Sequence, residues 1–152
     1  MQYLLFHADG ERYLLASDRI TEVVPQVPLR SLPGAPAFVA GLMNYRGEAL
    51  PVIDVCRLLA GYACAAHLST RVLVVRVDLP GQGARDIGLL VERATEMLRL
   101  DPDTFTDPGI DVPQAPWLGQ VYMDRRGMMQ CLCADSLLSA SEAARLFETQ
   151  EA

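Results

Sequence analysis

Short apolar segments separated by polar, glycine-containing turns recur along the whole chain. The first two segments, residues 3–7 and 13–16, flank an Asp9-Gly10 turn. Because glycine adopts positive φ without steric cost, Asp-Gly between two apolar segments predicts a β-hairpin. Three further pairs of segments flank Arg46-Gly47, residues 80–83 and Arg126-Gly127. Four hairpins in so short a chain predict an all-β fold with short helices, arranged as barrels or a sandwich.

Helical signals are few and local. Asp54 follows an apolar strand and precedes residues 55–59, so it is predicted to cap a helix of one or two turns. Ser139 and Glu142 have the spacing of a capping box ahead of an amphipathic tail. A short helix is also expected after Asp135. The proline-rich segments between these elements are predicted to be loops.

An internal repeat organises these elements. Residues 18–24 and 92–98 share the pattern acidic-Arg-x-Thr-Glu-x-apolar. Each copy follows the second strand of a hairpin and precedes a proline-rich loop, a glycine-led hairpin and a short helix. We therefore expect residues 1–152 to form one domain of two similar β-barrels, roughly 1–70 and 71–152. The pattern leaves open whether the two barrels exchange strands.

Composition and charge exclude several classes of function. The net charge is −6, and all 13 positively charged residues are arginine. An acidic chain is repelled by phosphate backbones, so nucleic-acid binding is not expected. Without lysine there is no P-loop lysine and no Schiff-base lysine. The start of the chain has no basic leader, and its apolar stretches are far shorter than the ~20 residues of a membrane helix, so a cytoplasmic protein without membrane insertion is expected.

The four cysteines offer an alternative chemistry. Cys131 and Cys133 lie on one face of a predicted strand, and Cys64 and His67 have ligand-like spacing. A zinc site from these four residues is conceivable, and it would make the chain a metal- or thiol-dependent protein. The competing interpretation, which we favour, is that these cysteines and Cys56 are reduced and act as small buried hydrophobic residues.

Exposed charged residues are the other candidates. Arg46 is predicted to stand at a hairpin tip, where its guanidinium is either a solvated charge or a donor fork for a partner's carbonyl or carboxylate groups. Glu22 and Glu96 hold equivalent places in the two copies of the repeat. The chain has no nucleophile elbow, zinc-protease motif or glycine-rich phosphate loop, so no enzymatic activity is expected.

One stretch resembles the CheW family. Residues 36–54, with the sequence PAFVAGLMNYRGEALPVID, place the glycine, the asparagine, the Arg-Gly turn and the Pro-Val-Ile-Asp strand at that family's spacing. Residues 18–23, 87–92 and 118–119 are also similar to the family, so the resemblance covers nearly the whole chain. Tyr45, Glu92 and Arg93 depart from the usual family residues.

The resemblance implies a fold, a function and a set of contacts. It implies two SH3-like five-stranded barrels with a hydrophobic core between them, no cofactor and no catalysis. It implies an adaptor that couples methyl-accepting chemoreceptors to the regulatory domain of a CheA-type histidine kinase, or an accessory coupling protein of a non-flagellar system that governs surface behaviour. By position, the implied receptor contacts are Ile20, Glu22, Arg46, Val72 and Met97, and the implied kinase contact is Gly41. From this we expect Gly41→Asp to abolish kinase binding while folding stays near normal.

Overall fold

The computed structural model describes residues 1–151, apart from the side chains of Thr95 and residues 148–151, and it is built mainly of β-strands. The strands of this described part are β1 (Gln2–Ala8), β2 (Glu11–Ala16), β3 (Ile20–Pro25), β4 (Val39–Tyr45), β5 (Glu48–Asp54), β6 (Arg71–Leu79), β7 (Gly83–Arg99), β8 (Leu118–Asp124) and β9 (Gly127–Leu132). The helices are α1 (Val55–Ala60) and α2 (Ala140–Glu151), with single 3-10 turns at Ser17–Arg19, Pro102–Thr104 and Ala134–Ser136. None of these helices is long and apolar enough to cross a membrane.

The hairpins and the two helix caps predicted from sequence are confirmed. All four hairpins form, as the antiparallel pairs β1–β2, β4–β5, β6–β7 and β8–β9. The Asp54 carboxylate accepts a hydrogen bond from the Arg57 amide at 3.1 Å and so caps α1. At the start of α2, the Glu142 amide donates to the Ser139 hydroxyl at 3.2 Å and the Ser139 amide donates to the Glu142 carboxylate at 2.9 Å. This is the predicted reciprocal capping box.

The strands form two five-stranded sheets that share β7. The first sheet has the order β3-β6-β7-β5-β4, and the second has the order β7-β1-β2-β9-β8. In each sheet, a residue that follows the strand at one end of this order forms a short β-bridge with the strand at the other end. In the first sheet Arg30, which follows β3, exchanges two 2.8 Å backbone hydrogen bonds with Leu42 of β4. In the second sheet Thr106, which follows β7, does the same with Val121 of β8 at 2.9 and 2.8 Å.

The repeat seen in the sequence corresponds to a reciprocal exchange of hairpins. The β1–β2 hairpin comes from the first copy but belongs to the second sheet, where β2 lies parallel to β9. The β6–β7 hairpin comes from the second copy but belongs to the first sheet, where β7 lies parallel to β5. Each sheet therefore contains strands from both sides of residue 70.

A single continuous strand carries the connection between the sheets. Residues 83–91 of β7 pair with β6, and residues 92–99 pair with β1. The register shifts where His7 lies opposite Glu92 and Leu5 lies opposite Glu96, and within this bulge Arg93 has a φ of +50°. In the first copy of the repeat the strand is not continuous at the corresponding position, because the 3-10 turn of residues 17–19 separates β2 from β3. The bulge lets β7 bend from one sheet into the other without a break.

The core has three parts because several strands are buried on both faces. On β6, Leu73 and Val75 face a central cluster between the sheets, whereas Val72 and Val74 face the interior of the first sheet. The central cluster includes Phe6, Leu15, Ile53, Leu89, Leu137 and Leu146. The interior of the first sheet is filled by Met43, Leu50, Val52, Val72, Val74 and Leu90, and that of the second by Tyr3, Leu5, Leu14, Phe105 and Met129. Alternate side chains of one apolar run thus enter different cores.

Gly41 is buried, and the backbone that approaches it closely belongs to the same chain. Its φ is +148°, and a Cβ atom at this position would lie 2.4 Å from the Arg30 carbonyl oxygen. A side chain here would push against the Arg30–Leu42 bridge that joins the ends of the first sheet. The sequence-based expectation that Gly41→Asp leaves folding nearly normal is therefore wrong, because the substitution clashes inside the protein.

We predict that Gly41→Ala lowers the free energy of unfolding by about 2–3 kcal/mol, because it combines an unfavourable φ with a clash against backbone. Denaturant unfolding of the isolated protein measures this effect. Gly10→Ala is the matched control, since Gly10 has a φ of +73° but no atom within 4 Å of its Cβ position. Equal losses for the two variants would show that the approach of Arg30 does not constrain residue 41.

Candidate functional site

Arg46 stands at the tip of the β4–β5 hairpin in a strained backbone conformation. The tip is a two-residue turn in which Arg46 has a φ of +52° and Gly47 a φ of +85°. Two positive φ values in a two-residue hairpin loop are the pattern of a type I′ turn. The Asn44 side-chain oxygen accepts a 3.0 Å hydrogen bond from the Gly47 amide and supports the turn. Gly47 suits this conformation, but arginine adopts it at a cost.

The Arg46 guanidinium is oriented by two neighbours. Its Nη2 atom donates to Glu22 Oε1 at 2.6 Å, and its carbon atom lies 5.2 Å from the centre of the Tyr45 ring. The Tyr45 hydroxyl donates to the same Glu22 oxygen at 3.1 Å. Partial burial of the phenol and this hydrogen bond raise the pKa of Tyr45. The arginine side chain nevertheless remains 73% exposed, so its other N–H groups face solvent. We call Glu22, Tyr45 and Arg46 the tip cluster.

The tip cluster joins two elements that are remote in the strand order. Glu22 lies on β3, at one end of the first sheet's order, and Tyr45 lies on β4, at the other end. A hollow of about 280 Å³ beside the hairpin is lined by Tyr45, Glu48, Arg76, Asp86 and other residues. The cluster is therefore a fixed, solvent-facing donor next to a polar hollow, which suits recognition of carbonyl or carboxylate groups.

The other residues implied as receptor contacts are dispersed. Ile20 lies on β3 opposite Val75 and is half-buried against the central core. Val72 is fully buried in the interior of the first sheet, so its side chain supports the surface from beneath. Met97 lies on β7 in the second sheet, opposite Leu4, and is 48% exposed. The structure thus brings Glu22 and Arg46 together and places Met97 on the other sheet.

The equivalent hairpin of the second sheet is built differently. At the end of β8, Asp124 accepts two hydrogen bonds from the Arg12 guanidinium, at 2.8 and 2.6 Å. Arg12 holds the pKa of Asp124 well below its usual range. Here the arginine comes from β2 and its side chain is only 11% exposed, so its guanidinium is engaged within the protein. Glu96, the counterpart of Glu22, lies on β7 opposite Leu5 and is exposed.

The zinc site imagined from the sequence is not assembled. Among the residues that the structure describes, the potential ligands with donor atoms within 4.8 Å of one another are Asp54, Cys56 and Cys64. His67, Cys131 and Cys133 are not part of this group, and all four cysteines are free. Cys131 lies on β9 in the second sheet, whereas Cys64 follows α1 and packs beside the first sheet.

Sequence similarity covers almost the whole of this architecture. The family profile described as CheW-like domain matches residues 2–142. The chain belongs to the CheW-like domain family. The tip cluster, Gly41 and all four hairpins lie inside the matched region, so the geometry described above is that of a CheW-like domain.

Curated relatives carry several names. Protein PilI of Pseudomonas aeruginosa is 28% identical over 120 residues, which are 77% of this chain and 64% of that protein. The chain thus spans a little less than two thirds of the length of PilI. Chemotaxis protein CheW of Rhizobium meliloti is 25% identical over 143 residues, covering 93% of this chain and 89% of that one. Protein FrzA of Myxococcus xanthus is 32% identical over 73 residues, covering 48% of this chain and 46% of that one.

A solved structure supports the fold. The crystal structure of scaffolding protein TtCheW from Thermoanaerobacter tengcongensis superposes with a TM-score of 0.76, covering 90% of this chain and 86% of that chain. The sequence identity is 23%, so this likeness establishes the CheW-like fold and nothing finer.

Sequence reasoning missed two features of the site. In the sequence Tyr45 is only a departure from the family pattern, but its hydroxyl donates to the same Glu22 oxygen that accepts from Arg46. A phenol where the family usually has an aliphatic side chain is the sequence signal that could have pointed to this hydrogen bond. The contact between Cys56 and Cys64 had no signal, because an eight-residue separation across a helix end predicts no particular distance.

We predict that Arg46→Asn is more stable to unfolding than Arg46→Ala by about 1 kcal/mol. Both variants lose the ion pair with Glu22, but asparagine tolerates the left-handed conformation and alanine does not. Denaturant titration of the two variants side by side gives the difference. Identical midpoints would contradict the strained type I′ geometry assigned to residue 46.

Proposed function

We propose that the protein is a non-catalytic adaptor that couples methyl-accepting chemoreceptors to a CheA-type histidine kinase in a bacterial chemosensory array. The carrying observation is the tip cluster, a solvent-facing guanidinium held in place on a CheW-like domain. Such a group offers hydrogen-bond donors to a partner's carbonyl or carboxylate groups, which accords with an adaptor. In this proposal the receptor tips and the kinase are cytoplasmic, and the adaptor that binds them is therefore cytoplasmic as well.

The receptor contact is proposed at the tip cluster. Arg46 uses one nitrogen for Glu22 and keeps the rest of its donor fork for a partner. Orientation by Tyr45 and Glu22 reduces the rotamer entropy that binding would otherwise cost. In this proposal Ile20 and Val72 act from within the first sheet as supporting residues, and Met97 offers a separate exposed position on the second sheet.

The kinase contact is proposed on the β4 side of the first sheet, near Gly41. Gly41 itself is buried and acts through the Arg30–Leu42 bridge. Leu42 is half-buried and lines a hollow of about 230 Å³ with Arg30 and Ala49. A partner backbone or apolar side chain could cover this hollow, and the regulatory domain of the kinase is the partner we propose.

A second proposal concerns the system that the adaptor serves. The relatives include proteins named PilI and FrzA as well as chemotaxis proteins named CheW. This spread of names favours, as the alternative, an accessory coupling protein of a non-flagellar chemosensory system that governs surface behaviour. Deleting the gene and scoring swimming and surface motility separately distinguishes the two systems.

We predict that Leu42→Asp weakens binding to the kinase regulatory domain at least tenfold, because it places an unpaired carboxylate in an apolar contact. Calorimetric titration measures the affinity, and a thermal melt checks that the variant is folded. Ile110→Asp is the matched control, since Ile110 is a 74% exposed apolar residue in the loop before β8. Unchanged affinity in a folded Leu42→Asp protein would remove the kinase contact from this surface.

We predict that Arg46→Ala weakens receptor coupling at least tenfold and leaves kinase binding largely intact. Charge-assisted hydrogen bonds to a partner are worth about 1.5–3 kcal/mol each, and about 1.4 kcal/mol is a factor of ten. The melting temperature should change little, because an exposed ion pair contributes about 0–1 kcal/mol. Receptor-dependent kinase activation is the measurement.

Two variants sharpen this experiment. Arg46→Lys should recover only part of the activation, since an ammonium group cannot reproduce the planar fork. Arg126→Ala, in the corresponding turn of the second sheet, should behave like the unmodified protein. Full activation by a folded Arg46→Ala protein would place the receptor surface elsewhere, and unfolding of that variant would make Arg46 a structural residue.

A further inference from the structure

Two cysteines lie in direct contact beside the junction of the two sheets. Cys56 is in the first turn of α1 and is completely buried, whereas Cys64 is in the loop after α1 and is only partly buried. Their sulfur atoms are 2.9 Å apart, and both thiols are free. A disulfide bond is about 2.05 Å long, so less than an ångström of movement separates the pair from a covalent link.

The surroundings hold both sulfurs in this arrangement. The Cys56 thiol donates to Glu92 Oε1 at 3.2 Å, and Cys64 Sγ lies 3.4 Å from the Leu90 carbonyl oxygen. The Cys64 amide donates to the Asp54 carboxylate at 3.1 Å, and the Ala65 amide donates to Glu92 Oε2 at 3.1 Å. The loop is thus fixed on both sides of Cys64, and its sulfur is held against that of Cys56.

We propose that Cys56 and Cys64 form a redox modification site, which closes to an intramolecular disulfide on reaction with a small-molecule disulfide such as oxidised glutathione. The inference does not depend on the adaptor function. It concerns chemistry that the tip cluster does not use.

The difference in exposure sets the order of the two steps. Cys64 is the less buried of the two residues, so it loses its proton to solvent and its thiolate attacks the oxidant, which forms a Cys64–glutathione mixed disulfide and releases one glutathione thiolate. Cys56 then attacks Cys64 Sγ, forms the Cys56–Cys64 bond and releases the second glutathione. Two protein thiols are oxidised to one disulfide, and one oxidised glutathione is reduced to two thiols, so atoms and electrons balance.

Glu92 takes the proton in the second step. Its carboxylate already accepts the Cys56 S–H hydrogen bond, so it is positioned to remove that proton as the sulfur attacks. It acts on Cys56 alone and is given no role in the first step.

The same environment sets the pH dependence of the reaction. The hydrogen bond with Cys56, burial and the nearby Asp54 carboxylate raise the pKa of Cys64. Because the thiolate is the attacking species, oxidation is slow at neutral pH and accelerates as the pH rises. Once formed, the bond would tie the start of α1 to the loop that contacts β7 at Glu92, where the strand passes between the sheets.

The test is oxidation of the intact protein by glutathione disulfide, followed by thiol counting, mass spectrometry and peptide mapping. We expect the number of titratable thiols in the unfolded product to fall from four to two. The mass should fall by two hydrogen atoms, and the map should join residues 56 and 64. A Cys131→Ser, Cys133→Ser double variant should form the same bond. Retention of all four thiols, or a bond between Cys131 and Cys133, would overturn the proposal.

Single variants test the order of attack. Cys56→Ser should stop at a mixed disulfide on Cys64, whereas Cys64→Ser should leave Cys56 unmodified in the folded protein. Equal modification of both variants would overturn the assigned order. Zinc binding is the competing chemistry, and it is tested by adding zinc before the oxidant. If zinc protects both thiols and no disulfide forms on later oxidation, the pair is a metal site instead.

Glu92→Gln tests the second step while keeping a side chain of the same shape. We expect the mixed disulfide on Cys64 to accumulate, with closure slowed at least tenfold and its rate depending more steeply on pH than in the unmodified protein. Unaltered closure kinetics would show that Glu92 takes no proton.

Discussion

The sharing of β7 between both sheets is the constraint on which the rest of the structure depends. One 17-residue strand pairs first with β6 and β5 and then with β1, so neither sheet exists without it. The reciprocal exchange of hairpins adds a second link, because each sheet borrows two strands from the other copy of the repeat. The central cluster then buries side chains of both sheets together with the C-terminal elements. We therefore expect the two halves to unfold together as one cooperative unit.

This arrangement also explains where the tip cluster lies. The strand order of the first sheet ends at β3 and β4, and these ends meet through the Arg30–Leu42 bridge. Glu22 on β3 and Tyr45 on β4 add a side-chain link to the same closure. Gly41 is required there because the Arg30 carbonyl oxygen occupies the space of a side chain. The proposed receptor and kinase surfaces thus flank a single seam whose backbone is fixed by internal contacts.

Local features of the fold could be predicted from sequence, and features set by long-range contacts could not. The four hairpins, the Asp54 cap and the Ser139 capping box follow from short patterns with direct physical causes. The exchange of hairpins leaves no such pattern, since a buried apolar strand has the same sequence in either sheet. The continuity of β7 was hidden because nothing in the sequence marks Arg93 for a positive φ. Likewise, the burial of Val72 depends on which face of β6 meets which core.

Arg46 has a backbone conformation that another residue would adopt at a lower cost. A type I′ turn would be satisfied by asparagine before Gly47, yet the chain has an arginine with a φ of +52°. The exposed ion pair with Glu22 contributes about 0–1 kcal/mol, which does not exceed the cost of the conformation. Folding alone therefore gives no reason for arginine at this position. In the second sheet Arg12 binds Asp124 through two nitrogens and is mostly buried, which is how an arginine that serves the fold is placed. The contrast supports the proposal that Arg46 serves a partner, because its exposed guanidinium is held by its neighbours and yet contributes little to folding.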